Sequence, residues 1–508
     1  MAFDWHFTAL LQWIGMGAVP QSEYLIARWL FLRVLGIIYL IAFISLWVQV
    51  KGLMGGGGIL PAREYLDALR PHYGPERYSI IPTVFWFGAS DVALQLACGL
   101  GALAAVLLVL GIAPLPCLVV LWVLYLSLTS VGRDFLSFQW DVLLLEVGFL
   151  AIFLAPLGFL PGLAQETAVP PLILLLFWWL LFRFMFESGI VKLLSGDSSW
   201  KDLSALDYHY FTQPLPVWTS WYMHHLPAWF QRLSTLFMYA VELLLPFLLF
   251  TVRPLKLVAV AGIALLNLLI FATGNYTFFN LLTVTLCILA LDDGVWFALL
   301  PQGFLNVVGD AAAPAPLPPW WLGACALVAL LYLCVSVPQF LRTALPSMPM
   351  PRVLLALESA VQPLRSINRY GLFRVMTKTR MEIVVEGSDD GVTWRAYEFR
   401  HKPGDLARRP DFVEPHQPRL DWQMWFAALG NFHSEPWFQA FLIRLLEGSP
   451  DVLALLGNNP FPDSPPRYVR ALIYEYGFTS AAERKQTGHW WHRGEPRIYA
   501  PPLSLRGG

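Results

Sequence analysis

Three ionisable residues lie in one long apolar segment, and they are the first candidates for chemistry. Arg183, Glu187 and Lys192 follow the charge-free run 170–182. An ionisable group at membrane depth costs about 2.5–3.5 kcal/mol on insertion scales, so such groups pair, face a wet cavity or take part in a reaction. Arg183 and Glu187 are four residues apart and share a helix face. Lys192 lies about 180° round an ideal helix from Arg183, so we expect its partner to come from another segment.

A second apolar segment, residues 132–150, offers partners for Lys192. Its charged and amide side chains are those of Arg133, Asp134, Gln139, Asp141 and Glu146. The two aspartates are seven residues apart on one helix face, and the glutamine and glutamate share another face. A helix with polar groups on two faces shows little surface to lipid, so we expect it at the centre of a bundle. One or more of its three acids is expected to neutralise Lys192, with the arginine near the membrane surface.

Two interpretations of these charges are open. In one they are structural ion pairs that lock helices together and orient the bundle. In the other they line a polar cavity in which Lys192, partly removed from water, acts as a general base. Replacing Lys192 with methionine distinguishes them, because loss of all membrane-integrated protein would indicate the structural role.

The loop 195–232 is aromatic and contains groups that titrate or coordinate. Its candidates for a functional site are Asp197, Trp200, Asp207 and His209. Adjacent His224 and His225 and the Asp-x-His at 207–209 match no spacing of a known metal-ligand set, so no metal site is predicted. The absence of a G-x-S-x-G motif excludes a serine-hydrolase nucleophile elbow. Asn275 matches a glycosylation acceptor, although it lies very close to two apolar segments.

The elements that must position these residues are membrane helices. Of the 508 residues, 57% are hydrophobic and 14% are charged, whereas a soluble globular protein has about 25% charged residues. Residues 92–131 and 257–291 hold 40 and 35 residues without Asp, Glu, Lys or Arg, and one crossing needs about 20. The chain is therefore predicted to be an integral multi-pass membrane protein in contact with the lipid bilayer.

The apolar segments predict about nine spans within a transmembrane domain of residues 1–341. They are 29–50, the two parts of 92–131 on either side of 111–116, 135–160, 170–194, 233–250, 257–272, 277–291 and 320–341. With nine spans, loops on the side of the C-terminal tail carry seven Lys and Arg residues and the other loops carry three. By the positive-inside rule this count places the tail in the cytosol.

Residues 342–508 have a different composition and are predicted to form a water-facing domain. They hold 21 of the 34 Lys and Arg residues and 17 of the 35 Asp and Glu residues. Segments 381–386 and 393–400 are typical of strands and are joined by Ser-Asp-Asp-Gly, which favours a hairpin turn. Further strands are predicted at 468–478 and 489–499, and helices at 420–429 and 435–446. The expected fold is an all-α membrane bundle followed by a β-rich, sandwich-like soluble domain with helical insertions.

Composition also excludes several classes of protein. A net charge of −1 gives no support for nucleic-acid binding. All five cysteines lie in apolar runs, so neither a disulfide scaffold nor thiol exchange by the tail is expected.

Four stretches together resemble the lipase maturation factor family. They are GRDFLSFQWDVLLLEVGFLAIFLAP at 132–156, RFMFESGIVKLLSGDSSWKDLSALDYHYFTQPLP at 183–216, FATGNYTFFNLLT at 271–283 and NPFPDSPPRYVRALIYEYGFT at 459–479. The resemblance implies a multi-pass membrane protein, resident in the endoplasmic reticulum in animals, that helps dimeric secreted lipases reach an active fold. It also implies a lumenal C-terminal domain that contacts clients, on the side opposite to the one that the basic residues favour.

The leading interpretation is therefore a chaperone-like maturation factor with no catalytic step and no cofactor. Its membrane is the endoplasmic reticulum in a eukaryote, and the inner or plasma membrane in a bacterium. The candidates for client contact are the aromatic residues Trp422, Trp425, Trp437, Trp490 and Trp491, each of which is also a candidate for the domain core.

A weaker similarity supplies an enzyme alternative. Residues 189–193, GIVKL, and the following Trp200 look like the segment that holds the catalytic lysine of vitamin K-dependent γ-carboxylases and related HTTM-type membrane proteins. This similarity implies that Lys192 is a general base acting on a lipid-like or peptide substrate. The helper histidine of those enzymes is missing, and Gln139 lies roughly where it would be. The hairpin 386–394 is also similar to one in discoidin-like jelly-roll modules.

Overall fold

The computed structural model describes residues 24–161, 167–301 and 314–505. Its helices are α1 Leu25–Trp47, α2 Val50–Met54, α3 Ala62–Tyr73, α4 Arg77–Ile80, α5 Asp91–Leu110, α6 Pro114–Gly132, α7 Gln139–Leu154, α8 Pro171–Leu194, α9 Ser198–Lys201, α10 Ala205–Thr212, α11 Trp218–His224, α12 Ala228–Tyr239, α13 Arg253–Thr273, α14 Phe279–Ile288, α15 Asp293–Leu299, α16 Pro319–Ala344, α17 Arg352–Val361, α18 Arg419–Leu429, α19 Pro436–Leu446, α20 Pro450–Leu453 and α21 Ala481–Thr487. The strands are β1 Arg380–Ser388, β2 Arg395–Ala396, β3 Tyr468–Phe478, β4 Trp491–Arg493 and β5 Arg497–Leu503.

The described residues contain seven helices that are long and apolar enough to cross a membrane. They are α1, α5, α6 with its continuation to Leu136, α8, α12 with its continuation to Phe250, α13 and α16. Helices α14 and α15 pass the same test as a pair but are bent by 109°, so the count is seven or at most eight. The predicted multi-pass bundle is confirmed, with fewer spans than the nine expected. The difference arises mainly at 135–160, where α7 has only 16 residues.

Helix α7 occupies the centre of the bundle, as its two polar faces predicted. Sixteen residues at about 1.5 Å each reach roughly 24 Å, less than the roughly 30 Å of a bilayer core. Both Asp141 and Glu146 are fully buried in it. Gly148 lets α1 approach closely, because a Cβ there would lie 1.8 Å from the Tyr39 hydroxyl. The short helix is thus enclosed by protein rather than by lipid.

After α12 the α-helix gives way to other helix types, and this change positions the acidic residue Glu242. The chain continues as a π-helix over Ala240–Leu244 and then as a 3-10 helix over Leu245–Phe250. Pro246 has no N–H, and its ring clashes with the carbonyl four residues earlier, which here belongs to Glu242. Widening to a π-helix relieves this conflict, and such segments often occur at functional sites. Glu242 is consequently presented from a locally widened turn.

The C-terminal region contains an antiparallel sheet. The strand order is β2-β1-β3-β4, and β5 also pairs with β3. β1 and β3 pair along their length, from Arg380 opposite Tyr476 to Ser388 opposite Tyr468. The predicted strands at 381–386 and 468–478 and the helices at 420–429 and 435–446 are confirmed within a residue or two. In the described part of the chain, helices α18 and α19 pack on this one sheet where a sandwich has its second sheet.

One apolar core runs through the bundle and the C-terminal region. It extends from Phe31 and Leu144 in the helices to Ile383 and Phe441 in the tail. The segment 366–376, which leads into β1, contributes Ile367, Tyr370 and Met376 to this core. The tail is therefore packed on the bundle rather than tethered to it.

Candidate functional site

A network of hydrogen bonds around Glu146 lies at the centre of the bundle. Arg183 on α8 forms an ion pair with Glu146, and both side chains are fully buried. Tyr332 on α16 donates to the same carboxylate at 2.5 Å, and Tyr370 donates at 2.7 Å. Asn368 donates its backbone N–H at 2.9 Å and its amide at 3.0 Å. Three of the five donor groups that hold Glu146, from Asn368 and Tyr370, thus come from the segment between the bundle and β1.

A second buried ion pair joins the bundle to helix α18. Arg419 forms a two-pronged contact with Asp141, at 3.0 and 2.8 Å, and the arginine also donates to the carbonyl of Phe135 at 2.5 Å. The Tyr125 hydroxyl donates to the same carboxylate at 2.5 Å. Planar pairing of this kind fixes geometry as well as charge. Asp141 therefore anchors the first residue of α18 in the bundle.

The partner of Lys192 differs from the expected one. Its ammonium donates to both oxygens of Glu242, at 2.9 and 2.8 Å, and to the carbonyl of Ser188 at 2.9 Å. Asp141 and Glu146 are occupied by the two arginines described above. An acid from the π-helix neutralises Lys192 because that segment packs directly against Gly189, where a Cβ would lie 2.7 Å from Leu243.

The remaining predicted members of the network form other contacts. Gln139 and Glu187 each accept a backbone N–H from the tail, from Gly371 at 3.3 Å and Tyr370 at 2.9 Å respectively. Arg133 lies over the ring of Tyr65 at 5.1 Å. The Asp134 side chain is only partly buried.

The four loop candidates have separate roles in the structure. Asp197 accepts from Ser199 at the start of α9 and from the backbone of Met376 in the tail at 2.6 Å. Trp200 donates to the carbonyl of Phe373 at 3.0 Å. Burial raises the pKa of Asp207 and lowers the pKa of His209 to about 4.

An apolar cavity of about 260 Å³ opens beside the Lys192–Glu242 pair. Its walls come from α8, α12, α13, the loop 200–210 and the tail residues Leu372 and Phe373. Most of the lining is aromatic or aliphatic. The cavity therefore combines an ion pair with a surface suited to a hydrophobic chain.

One polar group in the cavity wall has no partner. The amide nitrogen of Asn280 on α14 is buried and forms no hydrogen bond with any of the described residues. Nearby, the Tyr276 hydroxyl lies 3.3 Å from His209 Nε2 and donates to Gln213 at 2.9 Å. Because a buried amide N–H normally has an acceptor, the Asn280 side chain marks a place for a ligand oxygen.

The tail tryptophans proposed for client contact belong mostly to the interior. Four of them are buried: Trp422, Trp437, Trp490 and Trp491. Trp425 is partly buried and donates to the carbonyl of Thr212 at 2.8 Å. Their large apolar rings pack the tail onto the loop 195–232 and the bundle. An open surface for a client must be sought elsewhere.

A polar groove of about 450 Å³ lies on the tail sheet. It lies over β1 and β2, and Ala396, Tyr397, Lys402, Leu406, Tyr474 and Arg493 line it. Its lining combines charged, aromatic and aliphatic side chains.

Asn275, the potential glycosylation acceptor, connects α13 to the tail. Its amide nitrogen donates to the carbonyls of Leu215 at 3.1 Å and Asp411 at 2.9 Å. Its oxygen accepts from Val413 at 2.8 Å, and the next residue, Tyr276, donates its N–H to Glu414. In the folded protein the side chain is buried and occupied by these bonds.

Sequence reasoning missed residues that complete each cluster. Glu242 was detectable, since it is an acid within an apolar segment. Tyr332, Asn368, Tyr370 and Arg419 carried no local signal, because a tyrosine is ordinary in a span and polar residues are ordinary in a water-facing tail. Among the described residues, no three His, Cys, Asp or Glu side chains are arranged to hold a metal ion.

The bundle, its buried charge network and the docked sheet define a multi-pass membrane protein whose C-terminal region is built into its helices. The model of the lipase maturation factor transmembrane domain matches residues 26–298, and that of the lipase maturation factor C-terminal domain matches 366–501. The chain belongs to the lipase maturation factor family.

Relatives cover nearly the whole chain. It is 38% identical to lipase maturation factor 2 of Gallus gallus, over 96% of this chain and 82% of that protein. It is 37% identical to lipase maturation factor 2 of Homo sapiens, over 94% of this chain and 82% of that protein. It is 35% identical to lipase maturation factor 1 of Bos taurus, over 95% of this chain and 90% of that protein. No solved structure matches the chain.

Proposed function

We propose that this chain is a membrane-embedded, chaperone-like maturation factor that assists the folding or assembly of secreted dimeric lipases or similar clients. The observation that carries the proposal is the presence of both domains of the family in one chain. The relatives named above are lipase maturation factors, which supports lipases as the client class. We place the protein in the endoplasmic reticulum in a eukaryote and in the inner or plasma membrane in a bacterium.

The arrangement of the buried charges supports a structural role for them. The three N–H groups of the Lys192 ammonium have three acceptors, two oxygens of Glu242 and the carbonyl of Ser188. Arg183 and Arg419 are likewise held by Glu146 and Asp141. No step in the proposed function requires a proton from any of these groups.

The groove over β1 and β2 is the surface that we propose for client contact. It is open, and the side chains around it are polar and aromatic. Removing the whole tail is not a clean test, because truncation before Arg342 deletes Asn368, Tyr370 and Arg419. Such a chain loses the donors that the tail supplies to Glu146 and Asp141, and it keeps only Arg183, Tyr332 and Tyr125. The predicted division of the chain at residue 342 stays a prediction.

A groove-filling substitution tests client contact without disturbing the bundle. Ala396→Trp places a large ring in the groove, whereas Val392→Trp adds the same ring at the exposed tip of the same hairpin, where Val392 is 81% exposed. We expect Ala396→Trp to lower the specific activity of a co-expressed secreted dimeric lipase several-fold and Val392→Trp to leave it unchanged. Equal rescue by both variants, at equal protein levels, would contradict the groove as the contact surface.

A second candidate function is a membrane enzyme that uses Lys192 as a general base on a lipid-like or peptide substrate. The apolar cavity beside Lys192 favours it. The Lys192 ammonium already has an acceptor for each of its N–H groups, which favours the structural role instead. A pair of variants separates these two possibilities.

Lys192→Met leaves Glu242 as an unpaired buried acid, which typically costs about 3–5 kcal/mol. We expect this variant to lower the thermal stability of the purified protein and its yield. The double variant Lys192→Met with Glu242→Leu removes both charges and is expected to recover most of the stability. If the double variant also restores lipase rescue, Lys192 has no chemical role. Normal stability with no rescue would instead establish a reaction inside the bundle.

A further inference from the structure

The cavity beside the Lys192–Glu242 pair has features that a void in a helix bundle does not need. The unpaired amide of Asn280 lies in a wall that is mostly aromatic and aliphatic. At about 260 Å³ the cavity is a little smaller than the roughly 300–1,000 Å³ of drug-sized ligand sites. Its size suits a single flexible chain better than a rigid ring system.

The cavity borders the surface that faces lipid. Leu269 on α13 lines it and is also 48% exposed, and Leu265 and Leu268 on the same helix are 50% exposed. On α12, Leu233 and Leu236 are similarly exposed. These leucines belong to membrane-spanning helices, so the solvent outside them is the bilayer. A ligand can therefore enter sideways from the membrane.

The electrostatics of the cavity favour an uncharged ligand. Lys192 and Glu242 neutralise each other. His209 is neutral, because burial lowers its pKa to about 4. A carboxylate group entering the cavity would find no unpaired cation, and it would approach the carboxylate of Glu242.

We propose that this cavity binds the acyl chain of an uncharged bilayer lipid, with an ester carbonyl of the lipid accepting a hydrogen bond from the amide of Asn280. The chain lies against the aromatic and aliphatic side chains of α8, α12 and α13. The inserted tail residues Leu372 and Phe373 close one wall, so the site exists only in the assembled protein. This proposal does not depend on the role in lipase maturation.

Photo-crosslinking of the full-length protein tests the site. The protein is reconstituted in phosphatidylcholine nanodiscs that contain a diacylglycerol with a diazirine in its acyl chain, and labelled peptides are identified by mass spectrometry. We expect saturable labelling of cavity residues on α8, α12 and α13, competed by unlabelled diacylglycerol. Labelling confined to the outer leucines, without saturation, would show ordinary annular lipid and overturn the proposal.

Three variants and one alternative probe sharpen this test. Ser234→Trp fills the cavity and is expected to abolish saturable labelling, whereas Leu268→Trp adds the same ring on the lipid-facing side of α13 and is expected to preserve it. Asn280→Leu keeps the volume but removes the amide, and we expect about tenfold weaker competition. Unchanged labelling of Asn280→Leu would overturn the hydrogen bond. Preferential labelling by a diazirine fatty acid would overturn the choice of an uncharged ester.

Discussion

At the scale of single residues, two buried acids of this protein, Glu146 and Asp141, are each held by several donors at once. Glu146 accepts from Arg183, Tyr332, Tyr370 and two nitrogens of Asn368. In an interior of low dielectric constant, one partner seldom compensates for the loss of hydration, whereas several together can. These acids therefore fix the positions of helices and tail segments.

Glu414 is also buried but has fewer partners. We therefore expect the stability of the folded protein to depend on pH in an unusual way. One of its carboxyl oxygens accepts the N–H of Tyr276, and the other is buried without a partner. Burial raises the pKa of Glu414 to about 9. The folded protein thus holds the carboxyl protonated, and the stability linked to that proton is present in full below a pH of about 4.3. It is lost progressively as the pH rises towards 9, by at most about 1.4 kcal/mol per unit.

Glu414→Gln should remove this dependence, because a glutamine keeps the acceptor for Tyr276 and cannot ionise. Thermal unfolding of the purified protein between pH 5 and pH 9 checks the prediction. We expect the variant to gain stability over the parent as the pH rises, while Glu495→Gln at an exposed site follows the parent. Parallel curves for parent and Glu414→Gln would contradict a protonated Glu414.

At the scale of elements, the sequence predicted the types and positions of helices and strands well. It predicted the partners of the buried charged residues poorly. Helix α8 and strand β3 lie where the sequence predicted them, from a continuous apolar run and from alternating apolar and polar residues respectively. Both patterns are properties of neighbouring residues in the chain. The pairing of Lys192 with Glu242 depends on the π-helix, which arises from Pro246 and from packing against Gly189. The tail contacts of Glu146 depend on a segment more than 200 residues away, and neither spacing nor composition contains that information.

The close packing of α8 on the π-helix gives a prediction for Gly189. A Cβ at this position would lie 2.7 Å from the Leu243 side chain and 3.0 Å from the Cβ of Glu242. Gly189→Ala must therefore push the two elements apart, at a cost of about 1–3 kcal/mol typical of overpacking. Gly323→Ala, in the spanning helix α16, meets no atom within 4 Å and is the matched control. We expect a lower unfolding temperature for Gly189→Ala alone, and equal temperatures would contradict the close contact.

At the scale of the whole molecule, contacts with the tail show which loops share its side of the membrane. Lys51 forms an ion pair with Asp451 at 2.7 Å, and Arg444 donates to the carbonyl of Gly58 at 2.8 Å. Asp197 binds the backbone of Met376. The loops rich in basic residues therefore lie beside the tail, as the charge count assumed. A tail on the non-cytosolic side of the membrane, which contact with secreted clients requires, goes against the positive-inside rule in this protein.

Cysteine accessibility in sealed microsomes tests the side of the tail. Val392→Cys on the tail hairpin and Glu64→Cys on α3 are expected to be protected from a membrane-impermeant maleimide. Leu160→Cys, which is 69% exposed at the opposite end of the bundle, is expected to react. The reverse pattern would place the tail in the cytosol and contradict contact with secreted clients. Labelling of only one of the first two would contradict the docking of tail and loops.

The insertion of the tail into the bundle also sets an order of events during synthesis. Asn368 follows Glu146 by 222 residues, and Arg419 follows Asp141 by 278. At about 5–20 residues per second, a ribosome needs roughly 10–60 seconds to make these donors after the acids. During that interval the nascent bundle carries acids that lack these partners, and Asn275 is not yet covered by residues 411–414. Folding of the bundle is therefore completed late, when its own C-terminal region has been made.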